Sequence, residues 1–282
     1  MDKIILIDKE KCYTSRDIVN MVSKSLNIKK VGHFGTLDPL ATGLLVLGTN
    51  NYTKIVNLFE NDTKEYIAEV LVGIQTDTYD LEGSIIKQKD VKDLDEKILK
   101  EVLSSFKGKY NQEVPIYSAV KVKGKKLYEY AREQKEVILP KKEVEIFEIE
   151  LLKIKKDKDI RFTFKTKVSK GTYIRSLIND IGNKLNIPLC MSALKRTKQD
   201  NITLDKANKV EEIKNKTLKL YDLEDFFDIK KEEINEENEK YILNGNVINR
   251  SNDLILFTKN NKNIALYKKY NDNSMKPFII FK

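Results

Sequence analysis

Thirteen residues, Val31 to Gly43, are broken up by Gly32, Gly35, Pro39 and Gly43 and then give way to four consecutive apolar residues, Leu44 to Leu47. Glycine and proline at this density cannot sustain a helix or a strand ladder, so the segment reads as a long connection, and the apolar run after it as a short buried strand. Upstream, Lys3 to Ile7 reads as a strand. A helix is predicted from Thr14 or Ser15 to about Leu26, with Thr14 and Asp17 in capping-box spacing. The fold must therefore hold an ordered loop between a helix and a buried strand, which is where functional groups tend to sit.

Further along, Lys64 to Val72 alternates as a strand, placing Lys64, Tyr66, Ala68, Val70 and Val72 on one face. A turn-rich stretch spans Thr76 to Gly83. Helices are predicted from about Leu94 to Phe106 and from Lys126 to Gln134, with Lys107 to Pro115 as loop between them. Val144 to Ile154 and Arg161 to Val168 read as strands. In Thr172 to Leu185, apolar residues at 174, 177, 178, 181 and 185 mark one helical face. Beyond the acidic run at Glu232 to Glu239, short strands at Leu254 to Thr258, Ile264 to Tyr267 and Phe278 to Phe281 suggest a small all-β appendix.

The chain has 282 residues, 52 basic against 43 acidic, for a net charge of +9, which favours a polyanionic partner. Only six of the basic residues are arginine: Arg16, Arg132, Arg161, Arg175, Arg196 and Arg250. Where lysine supplies generic charge, each arginine is a candidate for planar geometry that lysine cannot offer. Cys12 and Cys190 are far apart and His33 is the single histidine, so no multi-histidine or cysteine metal site is expected. The run Ile4 to Ile7 is too short for a signal segment and no stretch approaches the ~20 apolar residues of a membrane span, so a cytoplasmic protein without membrane contact is expected. There is no phosphate-binding P-loop, dinucleotide fingerprint, nucleophile elbow or zincin motif. What remains is carboxylate, arginine and tyrosine chemistry.

Asp38, in Gly-Thr-Leu-Asp-Pro-Leu, is a turn former or helix cap on one reading and a catalytic carboxylate on the other. Flanking glycines, His33 five residues upstream and the anchoring strand favour the second. Arg175 stands in the first turn of its helix, where the macrodipole disfavours a cation, so it is either an exposed arginine or the partner of a nearby anion. Tyr66 is a core tyrosine or a ring for stacking on a base, and Lys64 serves the same pocket or the strand's solvated end. From Tyr117 to Lys142, eight basic residues, including Lys121, Lys123 and Lys125, face three acidic ones, with tyrosines interleaved: a solvated loop, or a surface for RNA phosphates and splayed bases.

At these residues the sequence resembles the TruB-type tRNA pseudouridine synthases. Gly32-His33-Phe34-Gly35-Thr36-Leu37-Asp38-Pro39-Leu40-Ala41-Thr42-Gly43 is similar to the family's catalytic motif, Lys64-Glu65-Tyr66 to its Lys-x-Tyr motif, and Ser169 to Leu177 to its third catalytic segment. Thr76-Asp77-Thr78 with Asp80, Val114 to Lys121, and Leu194 ahead of Lys195-Arg196-Thr197 continue the match in order. Phe34 stands where bacterial members commonly carry threonine.

The resemblance implies an α+β fold, a mixed, largely antiparallel sheet with flanking helices. It implies a catalytic domain over 1–227 with a basic thumb insertion near 117–142, and a small PUA-like RNA-binding domain over 228–282. It makes Asp38 the catalytic aspartate, Arg175 its partner and Tyr66 the ring on the target uracil. His33, Lys64, Asp77, Asp80, Leu194, Lys121, Lys123 and Lys125 become substrate-binding residues. The implied reaction is isomerisation of a T-loop uridine, position 55 of tRNA, to pseudouridine by base flipping, with no cofactor and no metal. The implied enzyme is of the stand-alone bacterial type, a monomer with no obligate protein partner. An RNA-folding module without chemistry would not need Asp38, Tyr66 and Arg175 together, and a hydrolase would need a metal cluster or paired carboxylates.

Overall fold

The computed structural model describes residues 1–59 and 63–281. In chain order, its first half contains β1 (Ile4–Lys9), α1 (Ser15–Leu26), β2 (Val31–His33), β3 (Thr42–Thr49), a 3-10 helix (Asn50–Leu58), β4 (Lys64–Val72), β5 (Ile74–Thr76), β6 (Ile85–Gln88), α2 (Glu96–Ser104) and β7 (Gly108–Glu113). The insertion carries β8 (Lys121–Val122), β9 (Lys125–Lys126) and α3 (Leu127–Arg132). Then come β10 (Lys141–Lys156), β11 (Ile160–Val168), α4 (Ile174–Leu185), β12 (Leu189–Gln199), β13 (Ile202–Thr203), β14 (Asn208–Lys209) and α5 (Val210–Asn215). The chain ends with β15 (Lys230–Glu233), α6 (Glu236–Leu243), β16 (Leu254–Lys259), β17 (Lys262–Asn271) and β18 (Ser274–Ile280). Among the described residues, no helix is long and apolar enough to cross a membrane.

The large sheet runs β14-β1-β3-β12-β4-β11-β10-β7, with β2 joined to β3 and β13 to β12. Only β1/β14 and β3/β12 pair in parallel, so the sheet is mixed and largely antiparallel, as expected. The alternation read in β4 holds: Tyr66, Ala68, Val70 and Val72 point into the core against α4. From α4, Ile174, Leu177, Ile178 and Ile181 are buried there too. Burying each such side chain contributes about 1.5–3 kcal/mol. That stiff platform carries Tyr66 and Arg175. In α1, the Thr14 hydroxyl accepts from the Asp17 amide at 3.0 Å and Asp17 Oδ2 accepts from the Thr14 amide at 2.8 Å, the capping box read from sequence.

Three readings need correction. Val31 to Gly43 is not connection throughout: Val31–His33 is β2, paired with β3 from Val31↔Thr49 to His33↔Leu47, and Thr42 and Gly43 already belong to β3. Lys107 to Pro115 is not loop: Gly108–Glu113 is edge strand β7, paired with β10 from Lys141↔Glu113 to Ile146↔Gly108. Its inward positions are Tyr110 and Gln112, polar side chains that find partners inside, so no apolar alternation reveals it. β12 was also not anticipated. It is buried throughout only over Leu189–Ser192, and from there exposed Ala193 breaks the polar face while buried Ser192, Arg196 and Gln199 break the apolar one, so no clean alternation marks it.

The C-terminal strands form a separate sheet, β15-β16-β17-β18. One face, with Leu256, Leu266 and Ile279, joins a cluster with Ile4, Leu6, Leu44 and Val46 of the large sheet and with Tyr52 and Ile55. The other face, with Ile255, Phe257, Ala265 and Tyr267, packs on Ile242 of α6. Strands β1 and β3 are therefore buried on both faces. The expected boundary at 228 falls two residues before β15, and Lys282, the last residue of the expected appendix, lies outside the described residues.

Candidate active site

Loop 34–41 links β2 to β3 and carries Asp38. Its backbone acceptors are satisfied one after another. The Phe34 carbonyl accepts from Gln199 Nε2 at 3.0 Å, Gly35 from Arg196 Nη2 at 3.0 Å, and Thr36 from Arg196 Nη1 at 3.4 Å. Ser15 Oγ donates to the Leu37 carbonyl at 3.1 Å and accepts from the Leu37 amide at 2.8 Å. The Asp38 carbonyl accepts from the Ala41 amide, and Pro39 from the Cys12 amide, both at 3.0 Å, with Lys9 Nζ 3.4 Å away. The carbonyls of six consecutive loop residues, 34–39, are thus all paired outside any strand ladder. Phe34 is buried beside Phe59 with ring centroids 5.6 Å apart, so the departure at this position fills the second core cluster.

The Asp38 side chain is 41% exposed and its Oδ2 lies 3.1 Å from Nε of Arg175, which is 8% exposed. The other arms of the guanidinium point elsewhere: Nη1 donates to the Thr78 carbonyl at 3.2 Å and stands 3.6 Å from Asp80 Oδ2, and Nη2 donates to the Tyr117 carbonyl at 3.1 Å. The planar geometry expected of a scarce arginine is divided among three places and does not form a two-point fork onto Asp38. The structure has a single contact, because Arg175 also ties together the 76–83 turn and the root of the insertion. The anion that the first-turn arginine required is present, and the exposed-arginine reading is overturned.

A cleft of about 400 Å³ opens over this pair, lined by His33, Asp38, Lys64, Tyr66, Tyr173, Arg175 and Leu194 among others. Six of the residues singled out from sequence therefore meet: His33, Asp38, Lys64, Tyr66, Arg175 and Leu194. The His33 pKa is lowered, by burial first and then by Arg16 and Arg196 nearby, so the imidazole is neutral at pH 7. Asp80 is buried behind Arg175, where its Oδ1 accepts from Thr78 Oγ1 at 2.6 Å and from the Glu82 amide at 3.0 Å.

Asp77 faces the insertion instead of this cleft. Its Oδ2 accepts from Tyr117 Oη at 3.2 Å and its Oδ1 from the Ser84 amide at 2.8 Å. In the insertion, β8 and β9 form a tight hairpin whose turn, Lys123-Gly124, takes φ of 50° and 83°. Lys121 and Lys123 are exposed, whereas Lys125 is ion-paired with Glu133 and lies over the Tyr130 ring at 5.0 Å. None of these three lysines lines the cleft over Asp38.

Sequence reasoning missed Lys9, Ser15 and Arg196. Lys9 is completely buried, with Nζ donating to the Tyr13 carbonyl at 2.6 Å and the Glu10 carbonyl at 3.0 Å, and burial pushes its pKa down to about 8. Nothing distinguishes it locally from the 45 other lysines. For Arg196 the scarcity of arginine was the available signal.

Fold and cleft together define a pseudouridylate synthase: residues 23–174 match the family described as TruB family pseudouridylate synthase, N terminal domain. The tRNA pseudouridine synthase B of Lactobacillus acidophilus is 43% identical over 218 residues, covering 76% of this chain and 73% of that protein. That of Malacoplasma penetrans is 47% identical over 208 residues, 73% of this chain and 88% of that one, and that of Caldanaerobacter subterraneus 39% identical over 259 residues, 90% of each. The chain belongs to the TruB family. Its fold is also that of a chain in a solved Cbf5-Nop10-Gar1 complex, with a TM-score of 0.68 at 22% identity, covering 99% of this chain and 84% of that one.

Proposed function

We propose that the protein isomerises uridine to pseudouridine in tRNA, at the T-loop uridine of position 55, with Asp38 as the catalytic carboxylate. The observation that carries this reading is the half-exposed Asp38 carboxylate, held at 3.1 Å by a buried arginine at the mouth of a cleft, in a chain of the TruB family.

The reaction breaks the N1 to C1′ bond, turns the uracil and joins C5 to C1′; N1 gains a proton and C5 loses one, so atoms and electrons balance within the nucleotide. Asp38 acts as an ionised group at the sugar or the base, and Arg175 favours that charged form and aims it. Tyr66 stacks on the flipped uracil and is placed to relay the C5 proton, while Leu194 closes the apolar side of the pocket. Removing the base from its stack costs a few kcal/mol, offset by neutral His33 filling the gap and by phosphate contacts from Lys64, Lys121 and Lys123. Asp77 and Asp80 order the turn beside the neighbouring nucleotides. Residues 1–227 carry the chemistry and 228–282 add RNA-binding surface, in a monomeric cytoplasmic enzyme that needs no protein partner.

The test is nucleoside analysis of an unmodified tRNA transcript after incubation with the pure protein. Pseudouridine at position 55 with wild type, and none with Asp38→Asn at tRNA affinity within a few-fold, is the expected result. Unchanged turnover in Asp38→Asn would overturn it.

A further inference from the structure

Only four charged side chains among the described residues are buried: Lys9, Asp80, Arg175 and Arg196. All four converge on the loop that carries Asp38 or on its partner Arg175. Arg175 and Asp80 have the roles given above, and Lys9 braces the start of the chain as much as the loop. Arg196 is completely buried in the wall of the cleft, where its guanidinium is engaged by the loop backbone.

Its three contacts are distributed unusually. Nε donates to the Leu44 carbonyl at 2.7 Å, after the loop, and Nη2 and Nη1 reach Gly35 and Thr36, before Asp38. One rigid plane thereby spans both ends of the segment. The backbone closes on it as well: Gly43 has φ +97°, and a Cβ there would lie 2.3 Å from the Arg196 carbonyl oxygen. No ion pair joins Arg196 to a carboxylate among the described residues, so its charge is taken up by carbonyl dipoles alone. A buried cation held that way is costly, and an apolar side chain would fill the space more favourably. Lysine, with one nitrogen, could not bridge carbonyls on both sides of the loop.

We propose that Arg196 is a positioning residue for the isomerisation, clamping the backbone on both sides of Asp38 so that the carboxylate stands opposite Arg175. The inference rests on the functional reading above and adds a residue that acts through the backbone of the loop.

Arg196→Lys and Arg196→Met in the full chain test it through four readouts: single-turnover rate on one tRNA transcript, tRNA Kd, thermal midpoint, and hydrogen exchange of residues 35–42. The expected result for Arg196→Lys is a rate more than tenfold lower, Kd within threefold of wild type, and faster exchange confined to the loop, with Arg196→Met more severe. A wild-type rate in Arg196→Lys, or a lowered midpoint with unchanged rate, would assign Arg196 to packing and overturn the proposal. If both variants fail to fold, Ser15→Ala releases the same loop at Leu37 without touching a buried charge. Looser loop exchange with an undiminished rate in Ser15→Ala also refutes the clamp. Absence of product from wild type would reject the functional reading instead, and unchanged loop exchange in Arg196→Lys would then reject the clamp on its own.

Discussion

Replacing Arg175 by lysine separates charge from geometry at the centre of the cleft. The guanidinium serves three places at once, Asp38 through Nε, the Thr78 carbonyl and Asp80 through Nη1, and the Tyr117 carbonyl through Nη2. An ammonium on the same backbone position can serve one corner of that triangle. A hydrogen bond to a charged group contributes about 1.5–3 kcal/mol and one to a carbonyl about 1 kcal/mol. If lysine keeps the charge near Asp38 but loses its aim, about 2–3 kcal/mol of transition-state stabilisation goes, a rate loss of roughly 30- to 150-fold. Arg175→Met loses more, since it removes the charge beside Asp38 as well as its aim; leaving Asp80 buried without a cation costs about 3–5 kcal/mol of stability, not of rate. In the Asp38→Asn background, Arg175→Met should add little, because residues acting as one unit are not removed at full cost twice. Single-turnover rates with one tRNA transcript at saturating enzyme provide the assay. Near wild-type chemistry in Arg175→Lys would show that charge alone suffices, and near wild-type chemistry in Arg175→Met would refute the pairing.

Reversing the charges of Lys121 and Lys123 should weaken tRNA binding and flatten the log–log salt dependence by about 0.7–0.9 per lost phosphate contact, while Lys125→Glu, already ion-paired with Glu133, should do less; titrations between low and moderate salt read both. Tyr117→Phe removes the hydroxyl that holds Asp77 at the root of the insertion, worth about 1 kcal/mol, so kcat should fall about fivefold with tRNA affinity little changed. An equal loss in affinity would place Tyr117 in binding alone. Asp180 is half-buried, and burial raises its pKa from 3.8 to about 6. The folded state then holds a proton that the unfolded state releases between those values, so stability falls as pH rises through about 4 to 6 and stays lower above it. Asp180→Asn should therefore raise the thermal midpoint at pH 7, by the equivalent of about 1–2 kcal/mol after solvent screening, and leave it unchanged at pH 3.5. Urea or thermal unfolding at the two pH values decides.

Much of this architecture was legible from the chain because the elements that matter obey simple periods. β4 alternates cleanly, so Tyr66 could be put on an inward face, and α4 repeats its apolar residues so regularly that Arg175 had to lie at the edge of a buried stripe. Asp38 stood out through Gly35 and Pro39 beside it, which serve no regular element. What could not be read was the inside of the polar network. β7 buries Tyr110 and Gln112, whose partners Asp180 and the Tyr173 backbone lie some 60 to 70 residues away, and no local pattern encodes a partner at that distance. Lys9 and Arg196 likewise gained meaning only when the loop carbonyls were in place. The single-point contact between Arg175 and Asp38 depended on the Tyr117 and Thr78 carbonyls, whose positions no sequence pattern reveals.

The two-sided burial of β1 has a bearing on how the molecule is made. Ile4 and Leu6 leave the ribosome some 250 residues ahead of Leu256, Leu266 and Ile279, which cover them, and β1 takes its parallel neighbour from Asn208–Lys209. A nascent chain emerges at about 5–20 residues per second, so the opening strand spends ten seconds or more with an uncovered apolar face. Its completion waits for the C-terminal sheet. Chains halted before residue 254 should accordingly be sticky and dependent on chaperones even though every residue of the cleft has already been synthesised.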